Sequence, residues 1–128
     1  QTMRARDWQR LNEARTQIRW AWHRFFEQFD VLIAPVMSTT AFAHDHGPFG
    51  QRSIVVDGQP QPYFSQIFWA GLAGVAQLPA VVVPGGQAAD GLPVGVQLIG
   101  PAYGDLRLVQ LAQRLEALGF GFTPPPGL

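Results

Sequence analysis

The sequence contains no cysteine. That removes disulfides, thiolate nucleophiles and cysteine metal ligands together. It also contains no lysine, since all nine basic residues are arginine. Charge is scarce throughout: 14% of residues are charged, against about 25% in a typical globular domain. The net charge is zero. Six arginines fall between Arg4 and Arg24, but Asp7, Glu13 and Glu27 lie in or just beyond that stretch. A phosphate backbone demands a concentrated excess of positive charge, so nucleic acid is not an expected partner. No apolar run approaches the roughly 18 residues of a membrane helix. No secretory leader is visible, so the expected location is the cytoplasm.

What is present is 128 residues, 47% of them apolar. That is enough for one domain with a real core, yet too few charges to cover a free-standing surface. The composition therefore predicts that more protein covers much of this chain. Gln1 in first position fits a processed, truncated or nicked chain.

The residues from 4 to 29 are expected to form one long helix. Trp8, Leu11, Ile18, Trp22, Phe25 and Phe29 recur at spacings of three, four and seven, and Trp20 and Phe26 widen the stripe. Val31–Ala34 reads as a short buried strand of the parallel type, stopped by Pro35. Residues 36–62 form a long aperiodic connection, the kind that is usually functional or disordered. Within it, Ser53–Val56 is a candidate strand ending at Asp57-Gly58. A second helix is expected over 63–76. Gly71 and Gly74 inside it suggest close backbone packing or a local break, and its lack of charge suggests burial on most sides. Strands are expected over 80–83 and 94–99, with Gln97 the one polar side chain on the latter. A last helix spans 105–118, capped by Asp105 and closed by Gly119. A proline-rich tail, Phe122–Leu128, follows. Three strands between helices are few for a free sheet.

Chemistry-bearing clusters are sparse. His44, Asp45 and His46 could approach one metal, but such sites take three or four protein ligands, so a solvated polar loop is the preferred reading and no metal is expected. Ser38 or Ser65, His44 or His46, and Asp57 supply the letters of a triad. A triad is defined by geometry, and no Gly-x-Ser-x-Gly elbow is present. Gly85, Gly86 and Gly100 follow strands without any nucleotide-binding pattern and read as turns. No cofactor is implied.

Several segments resemble the amidase signature family. Arg15 through Pro35 is similar to its helix leading into an Asp-Val-Leu-apolar-x-Pro strand. Leu78-Pro79-Ala80-Val81-Val82-Val83-Pro84-Gly85-Gly86 and Gly91-Leu92-Pro93-Val94-Gly95-Val96-Gln97-Leu98-Ile99-Gly100 carry the more specific match. The likeness covers nearly the whole chain. One departure stands out: many members carry Asn and Gly where this chain has Gly74 and Gln77.

The resemblance implies an α/β chain, the C-terminal portion of the mixed-sheet, helix-flanked amidase fold. Members cleave amide C–N bonds with a serine nucleophile, a second serine in a cis peptide linkage and a lysine. None of these can be placed on this chain, so no catalytic residue is assigned. The expected partners are the remainder of the amidase polypeptide and a small-molecule amide, and a homodimer is compatible with both. The expected contribution is sheet core plus one wall of the substrate pocket, lined by Met37, Phe42, Tyr63, Ile67 and Trp69. Alternatives are a non-catalytic binding or scaffolding module derived from the fold, and a small independent enzyme built on the His44–His46 loop.

Overall fold

The computed structural model describes residues 2–125; the last three residues of the expected tail lie outside them. Helix α1, Ala5–Phe26, contains neither glycine nor proline. Asp7 in its first turn and His23 and Arg24 in its last complement the helix dipole. It ends three residues before Phe29, whose ring nonetheless stacks on Phe25 at 4.7 Å.

Five strands follow the order β1 (Leu32–Pro35), β2 (Ser53–Val56), β3 (Gln59–Pro62), β4 (Ala80–Gln87) and β5 (Pro93–Ile99). β1, β5 and β4 form one sheet in that order, with β5 central. Both pairings are antiparallel, Ile33 facing Leu98 and Val81 also facing Leu98. The parallel reading of Val31–Ala34 is therefore corrected: an apolar run reports burial on both faces, not strand direction. β4 is also longer than the expected 80–83, reaching Gln87 through a bulge between Pro84 and Gly86. Gly85 lies within that bulge, where an added Cβ would meet Val96 Cγ2 at 2.6 Å.

Residues 36–62 are not one featureless connection. β2 and β3 form a hairpin around Asp57 and Gly58, both with positive φ (51° and 76°), as a type I′ turn requires. The expected helix over 63–76 is divided into a 3₁₀ turn, Tyr63–Gln66, and helix α2, Ile67–Ala76.

Helix α3, Asp105–Ala117, covers one face of the three-stranded sheet. Leu108, Leu111, Ala112 and Leu115 pack there with Val81, Val83, Val96 and Leu98. Gly100 allows the close approach, because a Cβ there would meet Leu108 at 3.0 Å. Asp105 is not the cap: Gly104 occupies that position and Asp105 opens the helix. Gly119 closes it with φ 103°, Phe120 N–H bonding Leu115 O and Gly119 N–H bonding Glu116 O, a Schellman arrangement.

The other face carries Gln97 and Ile99, both buried, alternating with the α3-facing side chains. Gln97 Nε2 donates to Pro35 O at 2.7 Å and to Trp69 O at 2.9 Å, so α2 is tied to this face. The expected burial of α2 is not met within the chain. Ala73 and Ala76 are buried, but Ile67, Phe68 and Val75 are exposed, and a Cβ added to Gly71 or Gly74 would meet nothing within 4 Å.

Candidate wall and Arg52 pocket

The five wall residues do not converge on a single cavity. Phe42 and Tyr63 do meet, ring centroids 6.1 Å apart and edge to face. Both line a concavity of about 430 Å³ together with Ala41, Ala43, His44, Asp45, His46 and Arg52. Met37, Ile67 and Trp69 are absent from that lining. Met37 and Ile67 are exposed, and Trp69 contributes its carbonyl to Gln97 and its ring to Phe68. Gln97 thus holds together the end of the strand that leads to Met37 and the helix that carries Trp69.

The concavity is built by local backbone devices. Asp45 Oδ1 accepts the Gly47 N–H at 2.8 Å, which turns the chain sharply after His44. Pro48 then leads into a single 3₁₀ turn, Phe49–Gln51. Arg52 Nε reaches back to Gly47 O at 2.7 Å, closing the loop. The rings of Phe49 and Tyr63 meet edge to face at 5.7 Å, and the Arg52 guanidinium carbon lies 5.8 Å from each ring centre, within cation–π range.

Sequence reasoning misses Phe49 and Arg52. No periodicity marks them, because the hairpin and the 3₁₀ turns bring them to Tyr63. His44 and His46 are neighbours, ring centroids 6.0 Å apart, but no group of three metal-type ligands exists among the described residues. Thr40 Oγ1 contacts Asp90, while the Thr39 hydroxyl is buried without a partner among the described residues.

Comparison with known proteins gives this geometry its setting. The pattern of the amidase family matches residues 1–109. This chain belongs to the amidase family. Among curated amidase relatives, a glutamyl-tRNA(Gln) amidotransferase subunit from Halothermothrix orenii is 33% identical over 107 residues, covering 84% of this chain and 20% of the relative. Its counterpart from Corynebacterium jeikeium is 40% identical over 95 residues, covering 72% and 17%. The chain therefore spans about a fifth of the amidase relatives it matches. Two solved structures extend the likeness to shape. A protein of an unexpected vestigial complex, described as revealing the origins of an s-triazine catabolic enzyme, overlaps with a TM-score of 0.80 at 24% identity. It covers 96% of this chain and 26% of that one, and at that identity it speaks for the fold alone. A bacterial aryl acylamidase of the amidase signature family gives 0.64 at 26% identity, covering 80% and 21%. The helix-flanked α/β sheet is thus an amidase-type arrangement.

Proposed function

We propose that this chain is a non-catalytic module of the amidase fold, the C-terminal part of one large domain, whose sheet other segments complete. The observation that carries this reading is the three-stranded sheet: β1 and β4 both lie at open edges. Unpaired strand edges invite further strands. The exposed side chains of Trp8, Leu11 and Trp20 on α1, and of Ile67 and Phe68 on α2, are unusually apolar for free surface and suit the same completion. The chain has neither lysine nor a Gly-Gly-Ser-Ser segment, so the family's relay would have to be supplied from elsewhere.

The amidase names among the relatives favour a second reading, in which the completed protein is hydrolytic. A serine would attack the amide carbonyl, with the cis-linked serine and lysine moving its proton. This chain would then supply sheet core and, through Met37, Phe42, Tyr63, Ile67 and Trp69, one pocket wall. Truncating Trp69 to Ala in that protein should shift preference among acyl chain lengths more than stability.

A serine-directed fluorophosphonate separates the two readings. The chain alone should show no covalent mass shift and no amide turnover. A stoichiometric adduct on it would overturn the non-catalytic assignment. Labelling of a completing segment, with turnover of simple amides, would establish the hydrolytic reading for the whole.

A further inference from the structure

We infer that the concavity beneath Arg52 is a binding site for a flat organic carboxylate, a function independent of any hydrolytic step. The Arg52 guanidinium is held on three sides. Its Nε is committed to Gly47 O, and its plane lies against the rings of Phe49 and Tyr63. A long flexible side chain thereby becomes a fixed fork, with most of its ordering completed before a ligand arrives.

The two terminal nitrogens remain. No protein hydrogen bond engages them among the described residues, and Arg52 has no carboxylate at ion-pair distance there. Asp45 lines the same concavity, but its Oδ1 is turned onto the Gly47 N–H. Four N–H donors on a planar cation match the two oxygens of a carboxylate end-on. With Nε occupied, the side-on approach is closed and the end-on one is selected.

The lining sets the body of the ligand. Phe42 and Tyr63 meet edge to face beside the guanidinium, so a flat apolar group attached to the carboxylate finds aromatic surface. His44 and His46 border the opposite part of the loop and add donors rather than bulk. The concavity, about 430 Å³, accommodates a single-ring acid. The site extends the wall reading for Phe42 and Tyr63 and requires no catalysis, so it stands or falls separately from the fluorophosphonate test.

Benzoate and benzamide test it, because they share shape and differ in charge. In the protein as isolated, calorimetric titration should show saturable binding of benzoate, with benzamide weaker by about 10- to 100-fold, the range a charge-assisted pair provides. Arg52→Gln should lose a similar factor. Phe49→Leu, which keeps the charge but loosens the clamp, should lose about threefold by way of the cation–π contact. Equal affinity for the two probes overturns the proposal, as does the absence of saturable benzoate binding. Benzoate binding that survives Arg52→Gln in a folded variant overturns it too. If Arg52→Gln does not fold, the probe pair on the unaltered protein and Phe49→Leu decide the matter.

Discussion

At the scale of single residues, two glutamines show how far a sequence can be read. Gln97 is legible as the one polar side chain on an apolar strand, yet its partners are not, because Pro35 and Trp69 lie 62 and 28 positions away. Its amide satisfies two backbone carbonyls at once. Gln97→Leu keeps the volume and strips both bonds, so the variant should lose about 2–3 kcal/mol, read by chemical denaturation. Gln77 is the reverse case. The family pattern alone marks it as odd, and the structure gives the reason: it ends α2 at φ 57°. There Leu78 N–H bonds Ala73 O and Gln77 N–H bonds Gly74 O, the Schellman geometry that glycine adopts without strain. A left-handed conformation costs a side-chain-bearing residue about 1–2 kcal/mol, partly offset by the looser unfolded chain that glycine gives. Gln77→Gly should therefore stabilise the fold by about 0.5–1 kcal/mol, seen as a rise in melting temperature.

At the scale of elements, legibility follows locality. α3 is written in its leucine spacing and its terminal Gly119, and the hairpin turn in Asp57-Gly58, because each depends on neighbours in sequence. The antiparallel direction of β1 against β5 is not written locally, since Val31–Ala34 reads the same either way. The Arg52 concavity escapes for the same reason: its members come from a loop, a 3₁₀ turn and the end of a hairpin. α2 is hard to read for a different reason. Its apolar composition implies burial that this chain does not provide, and Gly71 and Gly74 look out on open space. In the free chain, Gly71→Ala and Gly74→Ala should each add about 0.5–1 kcal/mol through helix propensity. In the completed protein the same methyls should be unwelcome against a packed neighbour and cost about 1–3 kcal/mol. Parallel denaturation of the two forms would show the change of sign. A gain in both would mean that nothing covers α2.

At the scale of the whole molecule, the low charge, the open sheet edges and the exposed aromatic helix describe a surface made to be covered. Ile33 puts this to the test. It sits on the edge strand β1, opposite the fully buried Leu98, yet is itself 62% exposed. If the chain stands alone, that position is ordinary surface, and Ile33→Lys should change stability by no more than about 0.5 kcal/mol. It should even improve solubility, since an edge lysine discourages strand addition. If another part of the domain pairs with β1, the same ammonium must be desolvated on assembly. The association should then weaken by at least about 2 kcal/mol, roughly 30-fold. Size-exclusion chromatography and native mass spectrometry of the chain mixed with the remaining amidase segment would read both effects in one experiment. The completed-sheet reading expects a soluble, folded Ile33→Lys chain that no longer joins its partner. An undiminished complex would leave the β1 edge free and place the covering protein elsewhere, against β4 or the aromatic face of α1.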